Sequence, residues 1–230
     1  MKSLMKISVK WRNVLTVLLF LFTVHLPQFT LAAENYKAGD KLYVAPTTGL
    51  NVRNFPDIKA PILTNLDFNT VVTIVADLLP AKPFGVKVTD FNSGKLSLQG
   101  HWIKVRTGKI TGYIFDGMLS KFKGLQLRTY EDEPYYTALF GKPSLQTVKK
   151  STVIQGRNID YETEIKSYPR GMVMESTFLD DCYKVVYTFA ISFNEAYWLI
   201  ERMMLDADAA QDIKIKKEKT KTVLNFYSCT

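Results

Sequence analysis

Between residues 41 and 115 the chain never sustains a helical period. Short runs rich in Val, Ile and Tyr are separated by turn residues, and apolar and polar side chains alternate within each run. Alternation with a period of two is what a strand with one buried face requires. Leu50 and Val52 alternate with Asn51 and Arg53, and Ile103 and Val105 with Trp102 and Lys104. The spacing predicts strands over 41–44, 50–53, 62–66, 71–76, 101–106 and 112–115. Strands this short and this close together predict a small barrel.

Two segments sharpen that expectation. One is Gly49-Leu50-Asn51-Val52-Arg53-Asn54-Phe55-Pro56. The other runs Gly100-His101-Trp102-Ile103-Lys104-Val105, then Gly112-Tyr113-Ile114, then Met118-Leu119-Ser120. In this order they resemble the bacterial SH3-like (SH3b) domain of exported proteins, over residues 34–122. The resemblance implies an SH3-like β-barrel that binds cell-wall peptide or a protein segment. Two departures stand out: Tyr113 replaces a usual Trp, and residues 77–100 form an insertion where a short loop is usual. Within it, Val86-Lys87-Val88 and Leu96-Ser97-Leu98 flank Asn92-Ser93-Gly94, a hairpin signal. Such a loop is either functional or a hairpin packed on the barrel. Surface aromatics suit an extended peptide, so Tyr43, Phe55, Trp102 and Tyr113 are the candidate ligand contacts, with Arg53 as a carboxylate partner. Each also has a plain structural reading: Phe55 as a barrel-end cap, Trp102 as half-buried core, Arg53 as a solvent-facing strand residue.

Residues 125–230 read as an α+β domain. Glu131 to Phe140 predicts a short helix, with Pro134 in its first turn and Gly141 and Pro143 stopping it. Strands are expected over 148–155, 161–168, 172–179 and 183–190. Ser192 and Glu195 form a capping-box pattern ahead of Phe193, Ala196, Tyr197, Ile200, Met203 and Met204 at helical spacing. Strands over 213–217 and 222–229 close the order, giving one antiparallel sheet with two helices. Lys214, Lys216, Lys217, Lys219 and Lys221 form a basic patch, read either as a site for anionic polymers or as a hairpin whose charges discourage edge pairing.

The first 33 residues carry Lys2, Lys6, Lys10 and Arg12, an apolar run from residue 14 to 24, and then Ala32 and Ala33. That is the pattern of a secretory signal peptide; the alternative is an uncleaved anchor, the only membrane attachment the sequence suggests. The expected location is exported, periplasmic or extracellular. The full chain has a net charge of +8. Without those four cations it keeps 26 basic against 22 acidic residues, which weakens any case for nucleic acid. An exported chain with two cysteines predicts one disulfide, Cys182–Cys229, the alternative being two unpaired buried thiols. Cys182 opens one predicted strand and Cys229 closes another, so an antiparallel pair would set them side by side.

Catalysis is disfavoured by counting. His101 is the single histidine beyond the leader, which is poor material for a triad or a zinc site. No phosphate-cradling Gly motif is present, and no metal or cofactor is expected. Asp180-Asp181 and Glu162/Glu164 are the dense carboxylates, and a solvated turn and strand face account for them. The expectation is a non-catalytic exported binding protein. The alternatives are a structural subunit of an envelope complex without wall affinity and a cryptic carboxylate-dependent hydrolase.

Overall fold

The first lobe is built from short strands: β1 (Lys41–Val44), β2 (Leu50–Arg53), β3 (Ile62–Leu66), β4 (Val71–Ile74), β5 (Phe84–Thr89), β6 (Lys95–Gly100), β7 (Trp102–Thr107), β8 (Ile110–Phe115) and β9 (Leu119–Ser120). The coordinates are a computed structural model and describe residues 36–75, 83–89, 95–125, 132–154, 156–179, 181–204 and 210–229. The expected signal segment, Ala76, the Asn92-Ser93-Gly94 turn, Glu131, Gln155, Asp180 and Leu205 lie outside the described residues.

Seven strands form one antiparallel sheet of order β3-β2-β8-β7-β4-β1-β9. Its apolar positions, among them Leu42, Val44, Val52, Val72, Ile74, Ile103, Val105 and Ile114, meet in one buried cluster. Leu66 of one edge strand and Leu119 of the other both belong to it. A flat seven-stranded sheet would hold its edges about 29 Å apart, so this sheet curls around its core. Gly112 permits a close approach of β8 to β2: a Cβ there would lie 2.6 Å from Val52 Cγ1 and 2.7 Å from the Arg53 carbonyl oxygen. Among the described residues, strands β5 and β6 pair only with each other.

The second lobe contains α1 (Asp132–Phe140), β10 (Ser144–Ile154), β11 (Arg157–Tyr168), β12 (Met172–Leu179), β13 (Cys182–Phe189), α2 (Phe193–Met204), β14 (Ala210–Glu218) and β15 (Lys221–Cys229). Its sheet order is β10-β11-β12-β13-β15-β14, antiparallel throughout. The described residues are thus mainly β, with antiparallel sheets and two helices, in the expected element order. Both β10 and β11 extend beyond the expected ranges. The added residues, 144–147 and 157–160, are exposed throughout, and 157–160 pair with β10 but not with β12. Alternation records burial, so an unburied arm leaves no period to read.

Cys182 and Cys229 are register partners on β13 and β15 and form a disulfide, with a Cα–Cα distance of 4.3 Å. That closeness is typical of directly opposed residues in an antiparallel pair.

Helix α2 ties the two lobes together because it is apolar on two sides. Ala196, Leu199 and Ile200 join Tyr136, Phe140, Tyr187, Phe189 and Leu224 in the core of the second sheet. Tyr197 and Trp198 join Leu98 and Phe115 in a separate cluster against the first lobe. At its start the Ser192 hydroxyl accepts the Glu195 N–H at 3.3 Å, one half of the capping pattern. The Glu195 carboxylate accepts the Ser120 hydroxyl at 2.5 Å and the Lys121 N–H at 2.7 Å. The Trp198 indole donates to the Gly117 carbonyl at 2.9 Å, and the Asn194 amide to the Gln99 carbonyl at 2.7 Å. Farther along, Arg202 stacks 3.7 Å over the Phe68 ring. Residues 34–230 accordingly cluster as one compact unit.

Candidate binding face of the first lobe

The outward side of the curled sheet carries a row of four side chains on adjacent strands. Ile62 (β3), Arg53 (β2), Tyr113 (β8) and Lys104 (β7) are successive register partners. The Lys104 ammonium lies 5.9 Å from the Tyr113 ring centroid. Arg53 donates from Nη1 to the Ala60 carbonyl at 2.6 Å, which pins the loop that follows β2. The loop also closes on itself: the Asn54 N–H reaches the Pro61 carbonyl, and the Asp57 carboxylate accepts the Lys59 N–H at 2.7 Å. This bracing holds Phe55 out into solvent, 63% exposed. Ile58, Ile62, Leu63 and Ile110 are also exposed on this lobe. A braced loop presenting an aromatic beside a sheet row loses little entropy when a ligand docks.

The five predicted ligand residues do not all share this face. Arg53 and Tyr113 are register neighbours, and Phe55 follows Arg53 by two residues. Trp102 occupies the outward side of β7 opposite Phe115, but the inserted hairpin covers it. Phe84 stacks on Trp102 with ring centroids 5.6 Å apart and lies 4.6 Å from Phe115. Val86, Val88, Leu96 and Leu98 continue that contact into the cluster around Tyr197 and Trp198. Tyr43 pairs with Val71 and Ser120 and is separated from β8 by two strands. Lys104 and Ile62 were missed from sequence, since nothing local marks which residues will be register partners of Tyr113 and Arg53.

His101 is structural in this geometry. Its N–H donates to the buried Asp116 carboxylate at 2.6 Å, and its ring Nδ1 is 3.6 Å from the same group. Any side chain at Gly100 would strike that carboxylate. The dense carboxylates of the second lobe bind lysines: Glu162 lies 3.6 Å from Lys149, and Glu164 lies 3.9 Å from Lys166. The Glu133 bond, 2.8 Å, is the main reason the Lys166 ammonium titrates above its usual range. Burial pushes the Glu201 carboxyl up and the Arg202 guanidinium down. Burial also pushes the Tyr135 hydroxyl up, and that group donates to the Lys123 carbonyl at 2.9 Å. Among the described residues no three His, Cys, Asp or Glu side chains gather as a metal site would require.

Of the predicted basic patch, Lys214 pairs with Asp212 at 2.6 Å, Lys216 with Glu218 at 3.3 Å, and Lys217 lies 5.7 Å from the Phe193 ring centroid. Lys219 and Lys221 sit at or beside the turn between β14 and β15, where both are exposed.

The family model "Bacterial SH3 domain" matches residues 48–120, which span β2 to β9 and include the row described above. No curated protein and no solved structure matches the chain. Gly49 to Pro56, Gly100 to Val105 and Gly112 to Ile114 all fall inside the match, as does the hairpin of β5 and β6. The match identifies residues 48–120 of this chain as a bacterial SH3 domain.

Proposed function

We propose that this chain is an exported, non-catalytic binding protein whose SH3 domain holds cell-wall peptide or a protein segment on the face around Tyr113. The observation that carries this reading is the open row Ile62–Arg53–Tyr113–Lys104, with exposed Phe55 beside it. SH3 domains bind peptides and proteins, and aromatics flanked by donors suit an extended chain. A bacterial SH3 domain together with a disulfide is consistent with an exported protein. In this reading residues 34–122 form the binding domain. Residues 125–230 form the α+β domain that braces it through α2.

The experiment is co-sedimentation with purified peptidoglycan and a panel of short peptides, comparing the wild-type chain with Tyr113→Ala and Phe55→Ser. Binding that falls in both variants supports the reading. Equal binding by wild type and variants, or none at low salt, overturns it.

A second reading, a subunit of an envelope complex without wall affinity, draws on a different surface. Phe178 and Tyr183, ring centroids 4.9 Å apart, are 52% and 47% exposed at one end of the second sheet. It predicts co-purification with an envelope protein that is lost in Phe178→Ser and unaffected by Tyr113→Ala.

A further inference from the structure

The main strands of the first lobe contain no carboxylate. β1, β2, β3, β4, β7 and β8 together hold no Asp or Glu, while Lys41, Arg53, Lys104 and Arg106 are all theirs. Among the described residues none of these four makes an ion pair with a carboxylate. Register sets them in two rows. Lys104 is level with Tyr113 and Arg53, while Arg106 is level with Thr111 and Thr73, and Thr73 with Lys41. Lys104 and Arg106 are exposed, two residues apart on β7, and about 7 Å apart along the strand.

Part of the second lobe's positive charge is neutralised locally, although Lys219 and Lys221 at its last turn are exposed. Lys149, Lys150, Lys166, Lys214 and Lys216 each sit beside a carboxylate. Cations with no acid partner among the described residues raise the local potential and favour a negatively charged partner. The face is also not uniformly polar, because Phe55, Ile58 and Ile62 expose apolar surface at its β2–β3 side. A uniformly charged polymer gains nothing from that shoulder. A peptide carrying both carboxylates and apolar side chains uses both parts.

We propose that the partner of this face is an extended, acidic protein segment. Its carboxylates would meet Lys104, Arg106 and the unused donors of Arg53, and an apolar or aromatic side chain would settle between Tyr113 and the Phe55–Ile62 shoulder. From Ile62 to Lys104 the row spans three strand spacings, about 14 Å, which four or five extended residues cover. The hairpin fixes where the segment lies, because Phe84 closes the Trp102 side and leaves the Tyr113 side open. The proposal rests on the peptide-binding reading above and adds the charge and amphipathic character of the ligand.

The test is fluorescence anisotropy on the full chain with three probes: a labelled peptide alternating Glu with Leu and Tyr, the same peptide with Gln for every Glu, and labelled heparin as a uniform polyanion. The Glu peptide should bind about tenfold tighter than the Gln peptide and lose affinity steeply with added salt. K104E combined with R106E should cost about tenfold or more toward the Glu peptide alone, and Phe55→Ser should weaken both peptides. All three side chains are exposed, and circular dichroism checks that the variants fold. Equal affinity for the two peptides overturns the acidic assignment while the peptide reading stands. Failure of both peptides overturns the two together. Tight heparin binding that ignores Phe55→Ser, with weaker binding of the Glu peptide, makes the face a general polyanion site and overturns the proposal.

Discussion

Glu195 is 3% exposed, and its carboxylate takes the Ser120 hydroxyl and the Lys121 N–H from the first lobe. Glu195→Ala would strand two donors inside the junction between lobes. A hydrogen bond to a charged group contributes about 1.5–3 kcal/mol net, so losing two should cost about 3–6 kcal/mol of unfolding free energy. Glu195→Gln separates shape from charge. Its Oε1 can keep the Lys121 N–H, and its Nε2 can donate to Ser120 Oγ, which already accepts from Phe122 N–H and has a second lone pair. The Gln variant should therefore lose only about 1–2 kcal/mol. Urea unfolding read by tryptophan emission and far-ultraviolet circular dichroism measures both, and Trp198 reports on the junction directly. An Ala variant within about 1 kcal/mol of wild type, or a Gln variant as damaged as Ala, would refute the assignment of Glu195 as the bonded link between lobes.

The Cys182–Cys229 bridge closes a separation of 47 residues, for which loop entropy gives about 4 kcal/mol; reduction, or paired Ala substitutions, should lower the urea midpoint accordingly, and an unchanged midpoint would contradict it. Phe84→Ala should uncover Trp102 and raise acrylamide quenching of tryptophan emission, at a stability cost of about 2 kcal/mol for a half-buried ring; unaltered quenching would mean the hairpin does not shield Trp102. Burial holds the Glu201 carboxyl above its unfolded value, so in the window between the two values the native state binds more protons and stability falls as pH rises. Glu201→Gln should then melt higher than wild type at neutral pH, with the gap closing as pH drops into the ordinary carboxylate range; a gap that widens toward acid would reverse the sign and the reasoning.

Much of the architecture is local and therefore visible in the chain. Leu50 and Val52 against Asn51 and Arg53 record a buried side, and so do Ile103 and Val105 against Trp102 and Lys104. The order of the Gly-, Trp- and Arg-bearing segments is enough to mark the SH3 domain. Cys182 at a strand start and Cys229 at a strand end are readable as neighbours because antiparallel pairing brings such ends together. The helical period of 193–204 shows that α2 is apolar, but not that it is buried on two sides against two different sheets.

A period tells which side of an element avoids water; it does not tell which surface will cover it. That is why the sequence could nominate Tyr43, Arg53, Phe55, Trp102 and Tyr113 together. The fold separates them: it places Arg53 beside Tyr113 across 60 residues of chain, sends Tyr43 round the curl of the sheet, and lays Phe84 on Trp102. The alternation of these strands and their freedom from acid were determined by the sequence alone. Their gathering into one open cationic face was decided only by strand register and by a hairpin closing the adjacent side, because both depend on contacts between residues far apart in the chain.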